Sequence, residues 1–125
     1  MTNEEVQSYL DDNGYPAHIV AAGAPGVIKR WHAFVDEVEA GYRYRLDDYR
    51  HDLDLRGVIQ LAGLDAEVAD SDLRFSALLT ATDTRVWESS AENPWWDFGY
   101  PRNIRGELWK DLQRSGLLAE DDAVA

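Results

Sequence analysis

The densest group of side chains able to do chemistry lies in the middle of the chain, in the segment DDYRHDLD. Its acids and histidine are Asp47, Asp48, His51, Asp52 and Asp54. On a helix, His51 shares a face with Asp47 and Asp48, so carboxylate and imidazole could meet a metal ion. Helical di-metal carboxylate proteins use such an acid-x-x-His pair twice, with further glutamates on facing helices. Neither His18 nor His32 has an acid three or four positions earlier. The pattern therefore favours a solvated helix face, and we expect no metal.

The common catalytic motifs are missing from the sequence. With 24 acids, some pair of carboxylates falls roughly 5–9 Å apart by chance, so acid pairs alone do not indicate a hydrolase. There is no Gly-x-Ser-x-Gly element, and the segment GAPG at 23–26 lacks the spacing and lysine of a phosphate-binding loop. The chain has no cysteine, which excludes thiol nucleophiles, disulfides and thiolate metal sites. The sequence favours a non-enzymatic protein without a cofactor.

A second candidate site is an aromatic stretch towards the C-terminal end. Five aromatic residues fall between positions 87 and 100: Trp87, Trp95, Trp96, Phe98 and Tyr100. In an extended chain the last three alternate on one face, which is typical of core residues. The two remaining tryptophans would lie on the opposite face, beside Asp97. Exposed there, they could stack on a sugar, surround a cationic ligand or anchor a protein partner.

Charge and size narrow the classes of function. The 125 residues carry 24 acids against 12 bases, a net charge of −12, with 45% hydrophobic residues. This composition predicts one globular domain over 1–118 with an acidic, flexible tail at 119–125. The charge disfavours nucleic acid and anionic membranes and favours a basic partner, although it is also typical of soluble proteins generally. With no signal-like N-terminal segment and no long apolar run, we expect a cytoplasmic protein, more readily a monomer than a dimer.

An apolar stripe through the middle predicts the main helix. Its residues recur at steps of three and four: Ile28, Trp31, Val35, Val38, Tyr42, Leu46, Tyr49 and Leu53. We expect a continuous helix from Pro25 to about His51. Gly41 is its weak point, but the pairs Glu39–Arg43 and Arg43–Asp47 at i, i+4 would offset the glycine.

Capping signals place the other N-terminal elements. Thr2 and Glu5 form a capping-box pattern, and Asn13-Gly14 supplies a stop, which predicts a helix over 3–12. A short helix is expected from Pro16 to Gly23. Asp52 or Asp54 would cap a further helix that ends at Gly63.

The C-terminal half is less regular. Residues 64–70 indicate an acidic loop, and 72–80 fit a helix better than a strand because Ser71 and Asp72 are suitable caps. A small β-hairpin is expected near 84–100, and Asn103 would cap a last helix that stops at Gly116. The predicted fold is mainly α, with α+β as the alternative.

Three functions remain open. The first is a protein-interaction or inhibitory, immunity-type module that binds a basic partner through Asp47, Asp54, Trp87, Trp95 and Asp97. The second is a small-molecule binder or enzyme whose pocket lies between the central helix and the aromatic segment, lined by Asp48, His51 and Asp52. The third is an acidic mimic of nucleic acid, which the arginines interleaved along the central helix disfavour.

Overall fold

Helices form almost all of the chain that the computed structural model describes, which comprises residues 1–79, 96, 100–101 and 106–114. In these ranges the elements are α1 (Asn3–Asp12), α2 (Ala17–Gly41), α3 (Leu46–Leu61), a 3₁₀ turn (Asp65–Val68), α4 (Ala69–Leu78) and α5 (Gly106–Arg114). The long helix α2 packs against α1, α3 and α4, while α5 packs on α3. The prediction of a mainly α fold with a long central helix and shorter helices around it is confirmed.

Helix α1 has the bounds and caps that its sequence predicts. The Thr2 hydroxyl accepts a hydrogen bond from the Glu5 amide, and the Glu5 carboxylate accepts one from the Thr2 amide, both at 3.2 Å. Gly14 then adopts φ +76° just after the helix, a conformation that glycine adopts without strain. Val6 and Leu10 form the buried face of the helix.

Gly23 divides α2 into two helical segments. Its φ of +61° and ψ of −151° interrupt the helix, and the second segment starts afresh at Ala24 and Pro25. The Ala24 amide donates to the side-chain oxygen of Asn3 at 2.8 Å, so a residue of α1 satisfies one of the free amides at this new start. The predicted short helix up to Gly23 and the restart at Pro25 are therefore confirmed.

The predicted continuous helix to His51 is wrong, because α2 ends at Gly41. Gly41 has φ +102°, which leaves the helical region, and Tyr42 that follows it is extended, with φ −60° and ψ +124°. The next helix begins at Leu46. The chain thus turns back, and α3 packs against α2 instead of prolonging it.

Arg43 and Glu39, which were expected to pair with each other along that helix, form ion pairs with other residues. Arg43 lies 3.7 Å from Glu37, and Glu39 forms an ion pair with Arg74 of α4. An i, i+4 pair contributes only ~0.2–0.5 kcal/mol. Burial of the Tyr42 ring, which is 2% exposed, contributes more, on the order of 1.5–3 kcal/mol for a large apolar side chain.

The start of α3 also differs from the prediction. Neither Asp52 nor Asp54 caps a helix, since both lie inside α3. The Asp48 carboxylate instead accepts a hydrogen bond from the Arg45 amide at 3.1 Å, which satisfies a free amide at the N-terminal end of α3. The predicted stop is correct, because Gly63 follows the helix with φ +73°.

The C-terminal half is described in part. Residues 72–78 lie in helix α4, as predicted, but the expected loop at 64–70 contains a 3₁₀ turn and the first residues of α4. Leu79 and Pro101 form an isolated antiparallel bridge. Most of the predicted hairpin, the cap Asn103, the stop Gly116 and the tail lie outside the described residues.

The predicted stripe forms the centre of the core. All its members are buried except Ile28, which is half-buried. Phe34 adds a ring between them, with centroids 5.3 Å from Trp31, 5.5 Å from Phe75 and 5.7 Å from Tyr49. Among the helices described, none has both the length and the apolar character needed to cross a bilayer.

Gly23 should be intolerant of any side chain, whereas Gly57 in α3 should accept one. A Cβ at Gly23 would lie 2.3 Å from the Asn3 side-chain oxygen at a backbone angle that L residues rarely adopt, while a Cβ at Gly57 meets nothing within 4 Å. We expect Gly23→Ala to cost about 2 kcal/mol or more of unfolding free energy. Gly57→Ala should stabilise by about 0.4–1 kcal/mol. Urea unfolding measures both, and equal effects would contradict the structure.

Asp111 should make stability depend on pH. Its carboxylate accepts from the Arg45 guanidinium at 3.0 and 3.1 Å and from the Leu46 amide at 3.2 Å, which lowers the pKa of Asp111 to about 2. A carboxyl whose pKa is lower in the folded state stabilises it above the unfolded pKa of about 3.9, and that contribution is lost as the pH falls towards 2.

We therefore expect Asp111→Asn to lower the Tm at pH 7, by an amount that shrinks between about pH 4 and pH 2. Glu107→Gln, on the exposed side of the same helix, is the control and should change the Tm little. If Asp111→Asn lowers the Tm by the same amount at pH 7 and at pH 3, the ion pair is not the cause of the loss.

Candidate functional site

A cleft of about 720 Å³ opens between α1, α2 and α3. The turn from Asn13 to Pro16 borders it on one side, and Trp96 lines it as well. Its titratable or charged lining residues are Tyr9, Tyr15, His18, Arg30, His51, Asp52 and Asp54. Both the size and the mixture of aromatic and polar groups are typical of ligand sites.

One face of α3 supplies much of the lining of the cleft. His51, Asp54, Leu55, Val58 and Leu61 recur at steps of three and one, which places them along one side of a helix. Leu55 and Val58 are buried, whereas His51 and Asp54 are exposed. Leu61 is 58% exposed, so a large apolar side chain is left open to solvent at the cleft.

Asp52 is a partly buried carboxyl in the cleft, and a hydrogen bond from the protein holds one of its oxygens. The Tyr42 hydroxyl donates to Asp52 Oδ2 at 2.9 Å. Burial raises the pKa of Asp52, while the hydrogen bond from Tyr42 and the charge of Arg30 act in the opposite direction. Burial, followed by the same hydrogen bond, raises the pKa of Tyr42 far above its usual range. A perturbed carboxyl in a cleft is a typical feature of functional sites.

Asp54 is a second carboxylate in the cleft, and it has no partner among the described residues. Burial and the nearby carboxylate of Asp54 raise the pKa of Tyr15, with a smaller contribution from Tyr9. Asp54 is exposed and takes part in no hydrogen bond or ion pair within the described ranges. Tyr9, Tyr15 and Asp54 therefore form an acidic, partly aromatic part of the cleft lining.

Trp96, which lines the cleft, packs against the buried charged side chain of Arg56. The Arg56 guanidinium lies 4.6 Å from the Trp96 ring centroid and is 2% exposed. Asp72 accepts two hydrogen bonds from Arg56, at 2.7 and 2.9 Å, and one from the Trp31 indole at 3.0 Å. Asp65 lies 2.6 Å from the same guanidinium. The cleft wall is thereby connected to α2, α3 and α4 at once.

The structure brings together part of each residue set that the sequence singles out. Of the pocket set, His51 and Asp52 line the cleft, whereas Asp48 caps α3 outside it. Of the interaction set, Asp54 lines the cleft and Asp47 is exposed in the first turn of α3. Trp87, Trp95 and Asp97 lie outside the described residues. In the described part of the chain, no three His, Asp or Glu side chains are placed to hold a metal ion.

Sequence reasoning missed the other wall of the cleft. Tyr9 comes from α1, Tyr15 from the turn that follows it, and His18 and Arg30 from α2. Only the packing of α1 on α2 and of α2 on α3 brings them to the same cleft as Asp52. The break at Gly41 was the one available signal, because it determines that α2 and α3 face each other.

Comparison of the chain with protein-family models, with curated proteins and with solved structures finds no match.

Loss of the Asp72 carboxylate should destabilise the protein strongly. Asp72→Asn would leave the buried Arg56 guanidinium short of countercharge, which typically costs about 3 kcal/mol or more. Asp70→Asn, at an exposed position in the first turn of the same helix, is the matched control and should change stability by less than about 0.5 kcal/mol. Urea unfolding checks both, and a small effect of Asp72→Asn would mean that the ion pair is not needed.

Proposed function

We propose that the protein is a non-catalytic binding module whose cleft takes up a cationic group. That group is an ammonium or guanidinium, supplied by a basic side chain of a partner protein or by a free organic cation. The observation that supports this most directly is Asp54, an unpaired carboxylate within the described residues that lies in an aromatic-lined cleft.

Charge supports the proposal at two scales. In the cleft, the carboxylates of Asp52 and Asp54 outnumber the one arginine, Arg30. Over the whole chain, the net charge of −12 attracts cations and speeds their encounter with the protein.

The aromatic and apolar lining supports an organic cation over a bare inorganic one. Tyr9 and Tyr15 line the cleft and are only partly buried. Aromatic rings attract cations that have lost part of their hydration shell. The exposed Leu61 offers apolar contact for the body of the same ligand. A hydrated metal ion would gain little from aromatic or apolar contacts.

The lining favours binding over covalent catalysis. The described residues that line the cleft include no serine, threonine, cysteine or lysine, so a covalent mechanism there would depend on a histidine, aspartate or tyrosine as the nucleophile. His51 and Asp52 are sequence neighbours on a helix and therefore point in directions about 100° apart. Within the described residues, His51 makes no hydrogen bond to Asp52 or to Asp54, which shares its face of α3.

Asp54→Asn should weaken binding, whereas Asp47→Asn should not. Both variants lose one charge from α3, but only Asp54 lines the cleft. A hydrogen bond to a charged group contributes about 1.5–3 kcal/mol, so we expect Asp54→Asn to lower affinity about tenfold or more. Isothermal titration with benzylammonium, agmatine and a blocked glycine peptide carrying one arginine measures this at pH 7.

The panel also distinguishes the source of the cation. Tighter binding of the small cations indicates a free ligand, and tighter binding of the peptide indicates a protein partner. Equal losses in the two variants would mean that only overall charge matters, and no binding of any probe at millimolar concentration would show that the proposal is wrong.

A further inference from the structure

We propose that Tyr42 is a positioning residue, which holds Asp52 so that its second carboxylate oxygen faces a bound cation. This inference rests on the proposed function and assigns part of it to a residue that does not line the cleft.

The Tyr42 side chain is fixed before any ligand arrives. Its ring is buried, and its centroid lies 5.7 Å from that of Phe34 and 5.6 Å from that of Tyr49. It directly follows Gly41, where α2 ends, so its backbone is set by the turn between the two helices. A phenol held in this way donates its one proton in one direction.

That direction leads to the cleft. Tyr42 donates to Asp52 Oδ2 at 2.9 Å, and Asp52 is half-buried and lines the cleft. Within the described residues, Oδ1 of Asp52 accepts no hydrogen bond. One oxygen is therefore occupied from the protein side, and the other is left to accept from a ligand ammonium. A pre-oriented carboxylate loses little side-chain entropy on binding, which favours affinity.

A purely structural role would not require the hydroxyl. The ring contacts of Tyr42 would be kept by phenylalanine, which differs by that one oxygen. The hydroxyl contributes instead to the charge state of Asp52, because its hydrogen bond lowers a pKa that burial raises.

Other charged groups act on Asp52, and they are unchanged in the test. Arg30 on α2 lowers the pKa of Asp52, whereas Glu37 on α2 and Asp48 on α3 raise it. His18 from α2 and His51 from α3 also line the cleft. Comparison of variants that retain all five groups isolates the contribution of Tyr42.

The experiment measures benzylammonium affinity from pH 7.5 to pH 4 for the wild type, Tyr42→Phe and Tyr44→Phe. Tyr44 is the matched control. Its ring centroid lies 5.6 Å from that of Tyr42, but Tyr44 is 49% exposed. Benzylammonium stays positively charged throughout this range, so the protein alone titrates. Circular dichroism at each pH confirms that the variants are folded.

We expect Tyr42→Phe to bind about threefold to tenfold more weakly at pH 7, and Tyr44→Phe to match the wild type. The sign of the pH effect follows from the hydrogen bond. Its removal raises the pKa of Asp52 further, so protonation should weaken cation binding from a higher pH in Tyr42→Phe than in the other two proteins. In an Asp52→Asn background, Tyr42→Phe should have no further effect.

A carboxyl ¹³C titration of the wild type gives a measurement independent of any variant. Bound benzylammonium should lower the pKa of Asp52, because a nearby cation favours the ionised form. An unchanged pKa would overturn the inference, as would a Tyr42→Phe profile that coincides with that of Tyr44→Phe.

Failure of the inference is distinguishable from failure of the proposed function. If benzylammonium binds and Asp54→Asn abolishes binding while Asp52→Asn and Tyr42→Phe do not weaken it, the cleft is a cation site and Tyr42 has no part in it. If the wild type binds no cation, both proposals are wrong.

Discussion

The turn at Gly41 is the constraint on which the rest of the structure depends. A helix that continued past this residue would carry Tyr42, Leu46 and Tyr49 away from the residues that now cover them. Because glycine adopts φ +102° at this point, the chain reverses and α3 packs along α2. The cleft lies along α3 as a result, and the first residue after the glycine supplies the hydroxyl that meets Asp52.

A second constraint is the buried Arg56 guanidinium. Removing a charge from water is costly unless partners surround it, and Asp72, Asp65 and the Trp96 ring together provide them. The arrangement connects three helices and fixes a ring that lines the cleft. An apolar residue at position 56 could fill the same space, but it would lack the guanidinium that lies against the Trp96 ring and pairs with Asp72.

The acidic surface and the cleft are related through charge. Most of the arginines in the described ranges have acidic partners at the surface, as Arg74 has in Asp36 and Glu39 and Arg45 has in Asp111. Two carboxylates of the cleft lie apart from these pairs. Asp54 forms no hydrogen bond or ion pair within the described residues, and Asp52 forms no ion pair there but accepts from Tyr42. These acids, the nearby tyrosines and the size of the cleft are the reasons why we propose an organic cation as its ligand.

The sequence by itself determined the helical class, the caps of α1, the stops at Gly14 and Gly63, and the burial of the stripe. These features depend on local hydrogen bonds or on the 3.6-residue period, and a single segment of chain contains all the information for them. It also singled out His51, Asp52 and Asp54, because clustered polar residues are visible without a fold. Only the tertiary structure decided where α2 ends, since weak charge pairs along one helix compete there with the burial of Tyr42 against Phe34 of α2 and Tyr49 of α3. The same holds for the cleft, where helix packing brings Tyr15, His18 and Arg30 to the same cavity as Asp52. These residues are far apart in sequence, and no local pattern encodes their proximity.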